Sequence, residues 1–137
     1  MMPTVLVIDD EDMVRLVLRQ FLERQGMEVI EAQDGDEGLR LFRAHRIDLV
    51  ICDLIMPRAD GIGTIMHIRR IAPKMKIIAI SGGGRSHAME LLKVAEEMGA
   101  DHALGKPFTR DQLTAAIATC LPNHPHPGSP PSSRLRS

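Results

Sequence analysis

"DLVICDLIMP" occupies residues 48–57. From Leu49 to Cys52 the chain is a run of strand-forming residues. It ends on a carboxylate, Asp53, and breaks at Met56-Pro57. An apolar run without polar alternation marks a strand buried on both faces, as in a parallel sheet. An acid at the end of such a strand is either a turn residue or a nucleophile held at the mouth of a sheet. The rest of the chain has to decide.

Working outward, the same kind of run recurs. "TVLVID" (4–9) is another buried strand, "MEVIEA" (27–32) a weaker edge strand, "IDLVICD" (47–53) the central one, and "KIIAIS" (76–81) a fourth. "ADHALGK" (100–106) holds a short fifth. Between them lie amphipathic stretches at helical spacing. The first places Val14, Val17, Leu18, Phe21 and Leu22 on one side and stops at Gly26, a C-terminal cap. Asp34 with Glu37, and Thr109 with Gln112, form capping boxes that start two others. Ile62, Ile65, Met66 and Ile68 mark a third helix; Ala88, Leu91, Leu92 and Ala95 a fourth; Leu113, Ala116, Ile117 and Cys120 the last. Met75, Met89 and Met98 read as packing residues. Five strands alternating with five helices imply an α/β domain with a parallel sheet and right-handed crossovers. The domain is expected over residues 1–121. Residues 122–137, "PNHPHPGSPPSSRLRS", read as a Pro/Ser-rich flexible tail or linker stub.

Composition narrows the function classes. A chain of 137 residues with net charge -1 has no general electrostatic drive toward nucleic acid or anionic lipid. It has no Trp or Tyr and three Phe, so stacking platforms for single-stranded nucleic acid are poorly supplied. No apolar run is long enough to span a bilayer, and the N-terminus lacks a signal-peptide pattern. Cys52 and Cys120 are far apart without metal-binding spacing, which suits buried thiols in a reducing cytoplasm.

The strand ends gather the polar residues. Strand one ends at Asp9, Asp10 and Glu11, strand three at Asp53, strand four at Ser81, and Lys106 follows strand five. In a parallel sheet all carboxyl ends share one edge, where open α/β sheets place ligand sites. Clustered carboxylates repel one another and call for a cation. Oxygen-only ligands favour a hard ion such as Mg²⁺. A divalent ion and one Lys can hold a dianionic phosphoryl group, the Ser hydroxyl can bond another of its oxygens, and a carboxylate can attack phosphorus in line.

With "DD" at 9–10, Asp53 followed by "MP" at 56–57, Ser81 followed by Gly, and "KPF" at 106–108, the chain resembles a response-regulator receiver domain over roughly residues 3–121. The chemotaxis response regulator is the best-known single-domain example. The resemblance implies a flavodoxin-like (βα)5 fold, strand order 2-1-3-4-5, with helices on both faces. It implies that Asp53 accepts a phosphoryl group from a histidine of a partner kinase or phosphotransfer protein. Asp10 and Asp53 would bind Mg²⁺ with the Ile55 carbonyl, and Asp9 would act mainly through bound water. Lys106 would pair with Asp53 or its phosphoryl group, Ser81 would report its arrival, and the Lys106-Pro107 peptide would be cis. Such a domain is a signalling switch, not a turnover enzyme, though it catalyses its own phosphorylation and dephosphorylation. Output is expected through protein contacts of residues 87–121, with no direct DNA binding, no membrane insertion and a cytoplasmic location.

The sequence departs from the family at one switch position. The aromatic found three residues before the Lys in many receivers is Ala103 here, with His102 beside it as a partly exposed strand residue. Gly82, Gly83 and Gly84 make the loop after strand four permissive, so that loop is expected to carry more of the switching. Two other readings stand beside the switch. One is a phosphorylation-independent pseudo-receiver adaptor, opposed by the intact acids and Lys. The other is an aspartate-nucleophile phosphohydrolase, opposed by Ile55, which stands where such enzymes carry a second acid. Ile55 also predicts a long-lived phosphoryl group. Arg58 and Arg85 border the site in sequence, and His87 starts a helix near it. His45 and His67 fall on exposed helix positions, and His124 and His126 are too few for a metal site.

Overall fold

The structure is a computed structural model that describes residues 2–56, 61–82 and 88–122, without the side chains of Ala88, Met89 and Leu91. In chain order the elements are β1 (Thr4–Ile8), α1 (Asp12–Arg24), β2 (Glu28–Ala32), α2 (Gly35–Ala44) and β3 (Leu49–Asp53). They continue with α3 (Gly61–Ile71), β4 (Lys76–Ser81), α4 (Ala88–Met98), β5 (His102–Gly105) and α5 (Arg110–Cys120). The sheet is parallel in the order β2-β1-β3-β4-β5, the flavodoxin-like arrangement, with β2 and β5 at its edges.

Two cores cover the two faces. Phe42, Ile65, Ile68, Leu92 and Ala95 from α2, α3 and α4 pack on Leu6, Ile8, Val50 and Ile77. Leu18 and Leu22 of α1 and Leu113, Ala116 and Ile117 of α5 pack on Val5, Val7, Ile51 and Ile78. Successive residues of β1, β3 and β4 point into opposite cores, which is why those strands carry no polar alternation.

The helix signals hold with adjustments. Gly26 takes φ +84° just past α1, a conformation a Cβ disfavours, and its N–H bonds the Glu23 carbonyl. Thr109 and Gln112 form a complete capping box at α5. At α2 the Asp34 side chain accepts from the Glu37 N–H, but the Glu37 carboxylate accepts from the N–H of Gln33, so the box is offset by one residue. Val17 is not on the buried side of α1. It is 60% exposed, because Leu18 and Leu22 set the inward stripe and Val17 lies a full 100° around the helix from Leu18. Met98 is likewise not a packing residue, being 40% exposed at the end of α4. Among the described residues no helix is long and apolar enough to cross a membrane.

Candidate functional site

Register brings the polar residues level. Ile8 lies opposite Cys52, Asp53 opposite Ile80, and Ser81 opposite Gly105. The next residue of β1 is Asp9, and the next of β5 is Lys106. Backbone bonds continue these ladders past the strand ends, from Asp9 N–H to the Ala32 carbonyl (3.0 Å) and from Lys106 N–H to the Ser81 carbonyl (2.7 Å). Asp9, Asp53, Ser81 and Lys106, four residues from four strands, therefore share one edge.

Asp53 is 2% exposed and Asp9 fully buried. Carboxylate oxygens of Asp9, Asp10, Glu11 and Asp53 lie within 4.8 Å of one another. Among the described residues one ammonium faces them: Lys106 Nζ is 3.1 Å from Asp9 Oδ2, 3.5 Å from Glu11 Oε1 and 3.7 Å from Asp53 Oδ2. Lys106 thus sits closest to Asp9, with Asp53 its most distant partner of the three. The Lys106–Pro107 peptide is cis. Asp9 Oδ1 accepts the Glu11 N–H at 2.9 Å, and Asp53 Oδ1 accepts the Ile55 N–H at 3.3 Å.

The electrostatics follow from burial. Burial and then the Asp9 charge push the Asp53 carboxyl up to about 6, against the pull of Lys106 and the Ile55 N–H. Burial also raises Asp9, opposed by the Glu11 N–H and Lys106. Lys106 is held above its ordinary value: burial opposes this, but Asp53 and Asp9 outweigh it. Ser81 Oγ is buried and has no hydrogen-bond partner among the described residues. A buried hydroxyl without a partner costs about 1–3 kcal/mol, and such sites call for an explanation.

The donor set fits a hard divalent cation. It is all oxygen, its members share one small volume, and among the described residues one ammonium leaves the carboxylates under-neutralised.

Glu11, one of the acids gathered at the end of β1, reaches Lys106 from the start of α1. Two contributors were not legible as site residues in the sequence. Arg15 donates to the Asp9 carbonyl at 2.6 Å while pairing with Asp12 and with Glu31 (3.1 Å), and so pins the acidic turn. Gly61 lies against the Asp53 backbone: a Cβ there would stand 2.3 Å from the Asp53 carbonyl oxygen and 2.6 Å from the Leu54 Cα. Only spatial neighbours across 16 and 8 positions reveal the last two, and no local spacing carries them. Gly82 is half-buried with open space around it, and Ala103 packs at the edge of the α2–α3–α4 core. His102 is half-buried, His45 exposed, and His67 bonds Arg43 at 3.1 Å. Pro57, Arg58, Gly83, Gly84, Arg85, His87, His124 and His126 lie outside the described residues.

Comparison with known proteins agrees with this geometry. Residues 5–118 match the family described as the response regulator receiver domain. The transcriptional regulatory protein PdtaR of Mycobacterium tuberculosis is 39% identical over 116 residues, covering 82% of this chain and 54% of PdtaR. The chain spans about half the length of that relative and less of other curated relatives. A response regulator receiver domain protein from Clostridium thermocellum superposes with TM-score 0.80 at 34% identity, over 88% of this chain and 95% of that one. A response regulator from Burkholderia pseudomallei superposes with TM-score 0.75 at 29% identity, over 84% and 66%; its structure carries a phosphorylated aspartic acid, a calcium ion and citrate. Family match, fold and site geometry coincide, and the chain belongs to the response regulator receiver domain family of two-component signalling.

Proposed function

We propose that this chain is a phosphorylatable switch in which Asp53 is the phosphoacceptor. One observation carries the reading: a nearly inaccessible carboxylate ends the central strand within 3.7 Å of an ammonium and among further acids. With a pKa of about 6, Asp53 is mostly ionised at pH 7 and more basic than an ordinary carboxylate. An Asp53 oxygen attacks the phosphorus of a phosphohistidine on a kinase or phosphotransfer protein. A P–O bond forms, the P–N bond breaks, and the leaving imidazole nitrogen takes a proton. Lys106 then hydrogen-bonds a phosphoryl oxygen, and the Ser81 hydroxyl donates to another, gaining the partner it lacks. Asp9, Asp10, Asp53 and the Ile55 carbonyl would hold Mg²⁺, which when bound supplies charge neutralisation for the acids and the transferring group.

The phosphodonor protein docks beside this edge. Met13, Leu16 and Val17 of α1 are exposed, and a groove of about 720 Å³ between α1 and the start of α5 opens next to Lys106 and Phe108. Output passes through residues 87–121 to a protein target. Cys52 and Cys120, both buried and outside any disulfide, suit a reducing, cytoplasmic compartment.

Intact mass after incubation with acetyl phosphate and Mg²⁺, for wild type and Asp53→Ala, tests the proposal. One phosphoryl adduct requiring both Mg²⁺ and Asp53 is the expected result. Ala103, where many receivers carry an aromatic, favours a second reading as a phosphorylation-independent adaptor. Absence of both a phosphoryl adduct and beryllofluoride binding would leave that reading in place.

A further inference from the structure

α2, α3 and α4 lie side by side on one face of the sheet, α2 packed on α3 and α3 on α4. Past the first turn of α2, where Asp36 and Glu37 sit and Glu37 pairs with Arg40 at 3.8 Å, their charges are divided. Residues 38–47 and 61–76 contain Arg40, Arg43, Arg46, Arg69, Arg70, Lys74 and Lys76, and no Asp or Glu. All of these cations except Arg69 are exposed. Across α3, the helix α4 carries exposed Glu90, Glu96 and Glu97 against one cation, Lys93. Apolar side chains stay open between α3 and α4: Met66 is 39% exposed, Val94 37% and Met98 40%.

Local electrostatics account for only half of this. Cations near the C-terminal ends of α2 and α3 complement the helix dipole, but Glu96 and Glu97 in the last turn of α4 oppose it. Among the described residues, no cation pairs with Glu96 or Glu97, and no carboxylate pairs with Arg43, Arg70 or Lys74. A face with one basic half and one acidic half flanking an apolar seam is complementary to itself under a two-fold rotation. With the axis between α3 and α4, at the level of their C-terminal halves, the α2–α3 cations of one copy meet Glu96 and Glu97 of the other, twice. Met66, Val94 and Met98 are then covered at the centre.

We propose that the α2–α3–α4 face binds a second copy of this chain as a two-fold dimer. The dimer is independent of phosphorylation, so its test needs neither phosphodonor nor divalent cation, and its outcome is separable from that of the phosphoacceptor reading. Nucleic acid is the less suitable occupant, because half of the face is acidic and no exposed aromatic lies on it.

Sedimentation velocity at chain concentrations up to roughly 1 mM, in low salt and in about 0.5 M salt, measures the association. Wild type is expected to dimerise at low salt and to weaken at least tenfold at high salt. The double variants Arg43→Glu/Arg70→Glu and Glu96→Arg/Glu97→Arg are each expected to be monomeric, since each repels itself, and to form a heterodimer when mixed. All four side chains are exposed or at the helix surface, and circular dichroism verifies folding; Arg46→Glu/Lys74→Glu replaces the first pair if needed. A dimer that survives Arg43→Glu/Arg70→Glu uses another face and overturns the proposal. So does a wild type that stays monomeric throughout. If that monomer binds poly-glutamate in an Arg43-dependent way, the basic half docks an acidic partner instead.

Discussion

Asp53 shows how one residue's environment sets its behaviour. Its folded-state value of about 6 lies above the ordinary 3.8, so the folded chain binds this proton more tightly than the unfolded chain does. The resulting stabilisation is fully present below about pH 4 and is lost as pH rises through about 6; Asp9, also raised, acts in the same direction. Without divalent cation, Asp53→Asn should therefore be more stable than wild type at pH 7, by about 1–3 kcal/mol, and the gap should close near pH 4. Urea midpoints in chelator at the two pH values check this; a gap that widens toward pH 4 would contradict the sign. Ile55, 42% exposed beside Asp53, offers no polar group to orient an attacking water. The phosphoryl group should be long-lived without a partner, and Ile55→Asn should shorten its half-life about tenfold, or ~1.4 kcal/mol of barrier. Loss of the adduct over time by mass spectrometry measures it, and equal half-lives would remove the idea.

Elements hold these residues at the right level. Gly61 opens α3 where it crosses under the end of β3, and a Cβ there meets backbone that cannot swing aside. Gly61→Ala is expected to cost about 1–3 kcal/mol and to slow phosphorylation by displacing Asp53. Gly82→Ala, with nothing within 4 Å of the added methyl, is the control that should leave both nearly unchanged. Thermal melts and acetyl phosphate labelling of the pair separate close approach from general glycine effects. At the other end of the sheet, Arg69 ties α3 to the chain before β4 and before β5: it donates to the carbonyls of Pro73, Met75 and Gly99 and pairs with Asp101 at 3.1 Å. Asp101 in turn accepts the Ile77 N–H at 2.8 Å. Arg69→Ala leaves several partly buried carbonyls short of a donor and should destabilise by about 2–4 kcal/mol, seen in the denaturation midpoint.

At the scale of the molecule, the acidic edge is a fault that a cation corrects. A divalent ion that binds only the folded chain should stabilise it by about 2.7 kcal/mol at one hundred times its dissociation constant. The melting temperature of wild type should rise with added Mg²⁺, and that of an Asp10→Asn/Asp53→Asn variant should not. An equal rise in both would place the ion elsewhere.

The sequence alone determined the alternation of strands and helices, because continuous apolar runs and 3.6-residue stripes are written locally. It also marked Asp9, Asp10, Asp53, Ser81 and Lys106, because each directly ends or follows a strand whose direction is forced by the crossovers. Tertiary structure decided what depends on distance through space. It set the level of the strand ends, which brings Lys106 to Asp9 across 97 positions at 3.1 Å. It turned Val17 and Met98 outward, since a helical stripe names its edges ambiguously and only the packed neighbours settle them. It gave Arg15, Gly61 and Arg69 their roles, which rest on partners that no local spacing announces. And it laid the cations of α2 and α3 beside the acids of α4, a division that a net charge of -1 conceals.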